Sequence, residues 1–240
     1  MRGLAQAFDR GARRYDLLVS LNPGYHDHLD SAAAELLRRV GPRPAGLRLL
    51  DLACGSGAST RALLRASRNG PTVLGVDLSE GMLEQARAKR WPDGVRFLRG
   101  RCGALDVEGL GPGSWHGVFA SYLFRNVPAD GRDGALREAH ELLAPGGWLV
   151  TQEYSVAGDR RAAATWDAVS WGVIVPLGVA IDRNPGLYRY LWRSVRDFDS
   201  TTAFMDRLAG AGFVDVACRT VPGWQRGILH TFVARKADES

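Results

Sequence analysis

The amino-acid sequence predicts a doubly wound α/β fold, in which a mostly parallel sheet of seven strands has helices on both faces. Two observations support this prediction. Five short apolar runs alternate with segments of helical spacing, and a glycine-rich turn follows the first run. Because such folds bind ligands at the carboxyl ends of their strands, the segments that follow the strands are the candidate functional positions.

The five predicted strands are LRLLDLA, TVLGVDL, VRFLRG, HGVFASYLF and GWLVTQEY. Segments between them carry apolar residues at intervals typical of amphipathic helices, in TRALLRAS, SEGMLEQARAKR and GRDGALREAHELL. Ser79 and Glu80 are suited to cap the second helix, and the PGG at 145–147 is expected to end the third. Strands that are joined by helices pair in parallel.

The whole chain of 240 residues is predicted to form one domain. It divides into an N-terminal helical cap at 1–45, a cofactor-binding core at 46–155, a helical insertion after strand five at 156–198, and a helix with two strands at 199–240. Those two strands, in FVDVACRTV and GILHTFVARK, are expected to complete the sheet as a hairpin with an antiparallel C-terminal strand.

Composition and charge limit the classes of function that the chain can have. The formal net charge is +5, but the basic residues are spread along the chain, which disfavours a nucleic-acid ligand. Cys54, Cys102 and Cys218 form no CxxC pair, so neither a disulfide framework nor a metal site is indicated. No signal peptide and no run of roughly 20 apolar residues is found. A cytoplasmic protein is therefore predicted.

The helical insertion is rich in apolar and aromatic residues between Trp166 and Trp192, including the 11-residue run WGVIVPLGVAI. Three interpretations stay open: a lid that lines a lipophilic pocket, a homodimer or membrane-facing patch, and packing into the core. Trp171, Arg183 and Arg189 would suit peripheral contact with a membrane, whereas the run by itself is too short to cross one.

The glycine-rich turn, DLACGSG at 51–57, follows the first strand and precedes a helix. Its glycines allow a sharp turn and leave space for a ligand above the helix N-terminus. Asp77, at the end of the second strand, can accept hydrogen bonds from the hydroxyls of a ribose. The turn reads GSGAST and departs from GxGxxG, which disfavours a dinucleotide. An adenosine-containing ligand is therefore indicated.

The segments LLDLACGSG, GVDLSEGML and LREAHELLAPGGWLV resemble motifs of class I methyltransferases, which have a Rossmann-like fold and use S-adenosylmethionine. A closer resemblance covers nearly the whole chain. The segments FDRGARRYDLLVSLNPGYH, SYLFRNVP, YRYLWRSVRDF and GILH resemble the menaquinone and ubiquinone biosynthesis C-methyltransferase family. The FRNV element is the more specific of these, because cofactor binding does not require an Arg and an Asn after strand four.

The resemblance implies a set of residues around S-adenosylmethionine. Arg101 departs from the acidic or amide residue of many relatives, and a guanidinium cannot accept a hydrogen bond from the adenine amino group. For Asp51, hydrogen bonding to amides of the turn is the alternative to cofactor contact. Cys54 and Cys102 are also expected as small packing residues. The implied cofactor residues are Tyr15, Asp51, Gly55, Ser56, Gly57, Asp77, Leu78, Met82, Arg101, Cys102 and Ser121.

The resemblance also implies catalytic candidates. Arg125 would stabilise a phenolate and Asn126 would orient a water molecule, whereas an ion pair of Arg125 with Glu153 or Asp130 is the structural alternative. His26 and His230 are candidate acids or bases, with a satisfied structural role as the alternative. His28 and His140 are expected at the surface.

Together these observations predict a methyltransferase that uses S-adenosylmethionine to C-methylate a lipophilic hydroquinol or a related phenolic small molecule. Two alternatives stay open: an O- or C-methyltransferase of natural-product biosynthesis in secondary metabolism, and a relative that binds the cofactor without catalysis. Methylation of nucleic acid is a third alternative, which the dispersed charge disfavours.

Overall fold

The computed structural model describes residues 24–42, 46–67, 70–182 and 185–238. The first half of these residues alternates between helices and strands, as the apolar pattern predicts. Its elements are helix α1 (Tyr25–Val40), strand β1 (Arg48–Leu52), helix α2 (Ala58–Ala66), strand β2 (Thr72–Asp77), helix α3 (Glu80–Arg87) and strand β3 (Val95–Arg99).

The second half begins with a short helix and continues through the helical insertion to the last two strands. Its elements are α4 (Val107–Leu110), β4 (Trp115–Ser121), a 3₁₀ turn (Phe124–Asn126), α5 (Arg132–Leu142), β5 (Leu143–Tyr154), α6 (Arg160–Val169), a π-helical turn (Ser170–Ile174), α7 (Val175–Asp182), α8 (Pro185–Arg196), α9 (Thr201–Gly210), β6 (Phe213–Thr220), a 3₁₀ turn (Gly223–Gln225) and β7 (Leu229–Lys236).

The seven strands form one sheet in the order β3-β2-β1-β4-β5-β7-β6. The first five strands pair in parallel, and β7 lies antiparallel to both β5 and β6. The predicted fold class is therefore confirmed, including the C-terminal hairpin. The chain reverses its direction across the sheet between β1 and β4, and in this class of fold ligands bind beside that point.

Two apolar layers cover the two faces of the sheet. One contains residues of α1 and α2, with Leu29 and Leu36 fully buried against Phe119. The other contains residues of α5 and α9, where the ring of Phe204 contacts those of Phe124 and Phe232. Helices on both faces explain why the central strands are apolar along nearly their whole length.

Two local predictions have different outcomes. Ser79 caps α3, because its Oγ accepts a hydrogen bond from the Met82 amide at 3.2 Å. The PGG at 145–147 does not end α5. That helix ends at Leu142, and β5 already begins at Leu143, so the three residues lie within the bounds of the strand.

The insertion is helical, as predicted, but its apolar part is longer than the sequence pattern indicates. Within the described residues, the helical run Arg160–Ile181 has 22 residues. Its most apolar 18-residue stretch has a mean hydropathy of 1.4, and 22% of that stretch is buried inside the protein. By length and composition alone it could cross a membrane, a test that core helices of other proteins also pass. The expectation that no segment approaches this length is therefore corrected.

The expectation that His28 and His140 are surface residues is also corrected. Both side chains are half-buried, and burial lowers the pKa of each imidazole. The His140 ring lies edge-on against Phe213, with 5.0 Å between the ring centroids. These histidines are therefore part of the packing.

Candidate functional site

Gly55 and Gly57 shape the turn between β1 and α2, and the two positions have different surroundings. Both have positive φ, 55° at Gly55 and 93° at Gly57. A Cβ on Gly57 would lie 2.7 Å from the Trp91 ring, so packing demands glycine there. A Cβ on Gly55 would meet nothing within 4 Å. The open space above Gly55 is the space that a ligand would need.

The Asp77 carboxylate joins the end of β2 to this turn. Its Oδ2 accepts a hydrogen bond from the Gly55 amide at 2.9 Å, and its Oδ1 accepts one from the Ser79 amide at 2.8 Å. The side chain is half-buried. Asp77 therefore lies where the sequence predicts the acceptor for a ribose, and it also fixes the glycine turn.

Asp51 has a structural role that differs in detail from the predicted alternative. Its Oδ2 accepts hydrogen bonds from hydroxyl groups of Ser59 at 2.8 Å and Thr60 at 2.6 Å, rather than from amides of the turn. The side chain is fully buried, and this burial raises its pKa to about 7. Asp51 thus holds the start of α2 against the sheet.

A pocket opens between the glycine turn, the end of β4 and α1. Its lining contains Gly55, Ser56, Ser121 and Tyr122, and it has about 300 Å³ of empty space, part of which is open to solvent. The Ser121 Oγ is buried and has no hydrogen-bond partner among the described residues. A buried hydroxyl without a partner beside a pocket indicates a polar ligand.

The backbone is strained on both sides of this pocket. Ala53, after β1, has a φ of 59°, and Tyr122, after β4, has a φ of 60°. Residues other than glycine adopt such angles at a cost of about 1–3 kcal/mol, and they cluster at ligand sites. Both residues line the pocket. The strain therefore supports the assignment of a binding site to this edge of the sheet.

Arg125 lies in the 3₁₀ turn that follows β4, and its guanidinium is almost entirely buried. Nη1 donates a hydrogen bond of 2.6 Å to the Ser194 Oγ of α8. Its Cζ lies 5.9 Å from the ring centroid of Tyr122 and 6.0 Å from that of Tyr154. The cation thus stands next to the pocket wall, under the helical insertion.

Glu153 supports this turn from β5. Its Oε1 accepts a hydrogen bond of 2.5 Å from the Phe124 amide, and its Oε2 lies 3.9 Å from the Arg125 Nε. Glu153 is fully buried, and burial raises its pKa to about 7 although Arg125 lowers it. Of the two structural alternatives for Arg125, the structure shows the pair with Glu153.

Asn126 connects the sheet to α8. Its Nδ2 donates to the Tyr122 carbonyl at 2.7 Å, and its Oδ1 accepts from the Tyr190 hydroxyl at 3.2 Å. Burial raises the pKa of Tyr190. Sequence reasoning missed Tyr190 and Ser194 as site residues. The only signal was their place in the segment YRYLWRSVRDF.

A stack of four aromatic rings links the pocket to the insertion. The ring centroids are 5.7 Å apart between Tyr25 and Tyr122, 5.2 Å between Tyr122 and Tyr154, and 5.3 Å between Tyr154 and Trp166. All four side chains are buried. The stack forms a buried aromatic column that extends from the pocket lining to α6.

The remaining cofactor candidates surround the turn at different depths. Ser56 is buried, and its carbonyl accepts a hydrogen bond from Lys89 at 2.8 Å, a contact that sequence reasoning missed. Met82 is buried at the start of α3. Leu78 and Cys102 are half-buried, and Arg101 is exposed. Tyr15 lies outside the described residues.

Burial raises the pKa of the thiols of Cys54 and Cys102, well above the ordinary value for Cys54 and to about 12 for Cys102. Thiols with raised pKa are poor nucleophiles at neutral pH. In the part of the chain that the structure describes, no group of three or more His, Cys, Asp or Glu residues could hold a metal ion.

The two histidine candidates lie apart from the pocket lining. His26 is exposed on α1, with its ring against Tyr25 at 5.4 Å. His230 is buried on β7, opposite Glu153 in the strand register, and its Nε2 lies 3.2 Å from the Ser155 carbonyl oxygen. Burial lowers the pKa of His230. Their catalytic roles stay predictions.

Comparison with known proteins identifies similar sequences along nearly the whole chain. Residues 2–236 match the model of the ubiE/COQ5 methyltransferase family. The chain is 33% identical over 222 residues to the ubiquinone/menaquinone biosynthesis C-methyltransferase UbiE of Methylobacterium nodulans, across 91% of this chain and 85% of that protein. It is 34% identical over 234 residues to the demethylmenaquinone methyltransferase of Beutenbergia cavernae, and the match covers 97% of this chain and 90% of that protein.

Solved structures show the same fold. A methyltransferase from Thermotoga maritima superposes with a TM-score of 0.63 and 20% identity, covering 96% of this chain and 99% of that one. Phosphoethanolamine N-methyltransferase 2 of Haemonchus contortus, solved with S-adenosylhomocysteine, superposes with a TM-score of 0.62 and is 18% identical in sequence. It covers 87% of this chain, which spans about half (53%) of that protein.

Proposed function

This chain belongs to the ubiE/COQ5 methyltransferase family, and we propose that it transfers a methyl group from S-adenosylmethionine to a ring carbon of a lipophilic hydroquinol. The membership makes it an S-adenosylmethionine-dependent methyltransferase. The acceptor is the proposed part, and the names of the relatives from Methylobacterium and Beutenbergia support a quinone precursor. The observation that carries the proposal is the buried Arg125 beside the pocket, held by Ser194.

The residues of the pocket fit the cofactor. Gly55 leaves space for it, the Ser121 hydroxyl is available to bond it, and the Asp77 carboxylate suits its ribose. When it is bound, S-adenosylmethionine supplies a methyl group on a positively charged sulfur. The protein then has to align the acceptor with that group and exclude water, and few catalytic side chains are needed.

Arg125 would stabilise the acceptor rather than deprotonate it. A ring carbon of a hydroquinol becomes nucleophilic when a phenolic hydroxyl loses its proton, so the phenolate oxygen needs a positive partner. A guanidinium remains protonated at every physiological pH and has only donors to offer. Because Arg125 is almost entirely buried, solvent screens its charge little.

Asn126 and Tyr190 would orient the acceptor and the water that receives its proton. The Asn126 amide is fixed at both ends, by the Tyr122 carbonyl and by the Tyr190 hydroxyl. The hydroxyl of Tyr190 can both donate and accept a hydrogen bond, so it suits a second position on this proton path. Substrate entry would require α8 to move, because that helix supplies partners to Arg125 and Asn126.

The column of stacked rings supports a lipophilic acceptor, because it makes the side of the pocket aromatic and poor in water. Aromatic side chains pack favourably against a flat ring and exclude water from the reacting atoms. The column includes Tyr122, which also lines the cofactor pocket, and the Arg125 Cζ lies 5.9 Å from the centroid of that ring.

The test is incubation of the purified protein with methyl-labelled S-adenosylmethionine and a reduced demethylmenaquinone analogue, followed by mass spectrometry of the extracted lipid. We expect one added methyl on a ring carbon. Arg125→Ala should lose turnover yet retain the cofactor, and Arg137→Ala, on the exposed face of α5, should resemble the unchanged protein.

Other outcomes would redirect the assignment. A methyl group on a phenolic oxygen would favour a natural-product O-methyltransferase. Cofactor binding without turnover on any phenolic acceptor would favour the non-catalytic alternative.

A further inference from the structure

One carboxylate oxygen of Glu153 is buried and has no hydrogen-bond partner among the described residues. This oxygen, Oε2, lies 3.9 Å from the Arg125 Nε, a buried donor that likewise has no hydrogen-bond partner there. The other oxygen, Oε1, accepts a hydrogen bond from the Phe124 amide, which fixes the direction of the carboxylate. Buried polar atoms are almost always bonded in folded proteins, so this pair beside the candidate active site calls for a further role.

The proposed reaction needs a group that can store a proton. The phenolic hydroxyl of the acceptor has to lose its proton before the ring carbon reacts, and the guanidinium of Arg125 cannot take it, because it has no acceptor. With the phenolate formed, one buried cation would face two anions, the phenolate and the Glu153 carboxylate. Two neighbouring anions in a desolvated site repel each other, so one of them is stabilised by taking up a proton.

We propose that Glu153 accepts the phenolic proton of the acceptor and holds it during methyl transfer, an inference that rests on the proposed function. The phenolic O–H bond breaks with its electron pair left on the oxygen, water beside the Arg125 guanidinium carries the proton, and an O–H bond forms at the Glu153 Oε2. This proton transfer leaves the net charge of the buried site unchanged.

The rest of the reaction returns Glu153 to its starting state. The ring carbon takes the methyl group, and sulfur keeps the electron pair of its broken bond. The methylated carbon then loses its hydrogen as a proton, which is released, and the Glu153 carboxyl gives its own proton back to the phenolic oxygen. Each turnover therefore releases one proton and regenerates the carboxylate.

The protonation state of Glu153 can change near neutral pH. Burial raises its pKa to about 7, although Arg125 and the amides of the turn lower it. Because the carboxylate is the form that accepts a proton, kcat/KM should fall as pH falls through about 7. His230 lies opposite on β7, and burial lowers its pKa, so it is neutral in this range. The other charged or titratable groups packed around the turn are Arg132 on α5, Asp199 before α9 and Tyr190 on α8.

Calorimetry with a ligand that is already a phenolate tests the proton site without catalysis. The probe is pentafluorophenol with S-adenosylhomocysteine present, slightly above neutral pH, where the probe and the free Glu153 are both ionised. Binding in buffers of different ionisation enthalpy gives the number of protons taken up with the ligand. We expect uptake by the unchanged protein and none by Glu153→Gln, which can still accept the Phe124 bond but cannot take a proton.

Turnover supplies a second measurement, because a base is needed only by an acceptor that still carries its phenolic proton. For an ordinary hydroquinol, Glu153→Gln should lower kcat/KM about 100-fold or more and remove the fall at low pH. For a chlorinated hydroquinol that is ionised at the assay pH, the loss should be less than about tenfold. A merely structural role would slow both acceptors equally, and thermal denaturation checks that the variant is folded.

The matched control is Glu35→Gln. Glu35 is also a buried glutamate held by arginines, with Arg39 at 2.9 Å and Arg219 at 2.7 Å. It lies in the second half of α1 and does not line the pocket. This variant should take up protons with the phenolate as the unchanged protein does, and it should keep the same kcat/KM with both acceptors.

The two proposals can fail separately. Absent or proton-neutral binding of the phenolate, or equal losses of turnover with the two acceptors, would overturn the role of Glu153. The proposed function would still stand if the unchanged protein methylates the hydroquinol. Proton uptake that depends on Glu153, without methyl transfer to any phenolic acceptor, would sink the proposed function and leave the proton site intact.

Discussion

The Ser194 hydroxyl accepts a hydrogen bond of 2.6 Å from the Arg125 guanidinium, which joins the helical insertion to the carboxyl edge of the sheet. The two residues are separated by 69 positions in the sequence. The bond gives the insertion a direct part in the site, because it fixes the direction of a buried cation. The candidate lid and the candidate catalytic group therefore form one unit.

Ser194→Ala should lower kcat about tenfold or more while the affinity for S-adenosylmethionine is unchanged. A hydrogen bond to a charged group contributes about 1.5–3 kcal/mol, and its loss would let Arg125 turn away from the acceptor. Steady-state kinetics with calorimetry test this. Thr202→Ala, an exposed hydroxyl on α9, is the control. An unaltered kcat would refute the role of Ser194.

Glu153→Ala should destabilise the fold by about 3–5 kcal/mol, as expected when one partner of a buried ion pair is removed. The substitution leaves Arg125 without its counter-charge and the Phe124 amide without an acceptor. Glu153→Gln should cost less, since its amide oxygen can still accept the Phe124 bond. Urea denaturation measures both, and equal costs would show that the hydrogen bond from the Phe124 amide contributes nothing to stability.

Stability should depend on pH through Asp51. Burial raises its folded-state pKa to about 7, above the ordinary 3.8 of the unfolded chain. The protonated acid therefore favours folding, and this contribution is complete below the unfolded pKa and is lost as pH rises through about 7. Asp51→Asn stays neutral and should gain on the order of 4 kcal/mol relative to the unchanged protein between pH 4 and pH 8. Parallel pH profiles of the two proteins in thermal denaturation would contradict this.

Asp77→Ala should weaken the binding of S-adenosylmethionine by about 1–3 kcal/mol, the cost of a lost ligand hydrogen bond and a loosened turn. Isothermal calorimetry measures the change. Asp93→Ala, an exposed acid before β3, should have no effect. The ribose assignment would not survive if the two variants had equal affinity.

Substitutions at the two glycines of the turn should have separate effects, one mainly on the stability of the fold and the other mainly on cofactor binding. Gly57→Ala would drive a Cβ into the Trp91 ring, so unfolding should become easier by about 1–3 kcal/mol. Gly55→Ala adds a methyl to open space and should mainly reduce cofactor affinity, with a smaller stability cost from its positive φ. Calorimetry and urea denaturation on both variants check the contrast, and a reversed order would refute the position of the cofactor.

The sequence by itself determined the order of the strands and the helices that follow β1, β2 and β4. Apolar residues at helical and strand spacing mark these elements, because burial of one face imposes that spacing locally, whereas the four-residue helix α4 is too short to show such a pattern. Ser79 was identified as a cap for the same reason, since its partner is only three residues away. The family was also readable, because contiguous segments such as FRNV carry the resemblance, and residues 2–236 match the family model.

Only the tertiary structure decided which side chains meet. Tyr190 and Asn126 are 64 residues apart, and nothing local to either indicates the other. Asp51 has the same carboxylate as Asp77, yet the fold buries the first against two hydroxyls and places the second at the glycine turn. Spacing along the chain determines secondary structure, whereas the partners and pKa of a side chain depend on packing between distant segments, which no local pattern encodes.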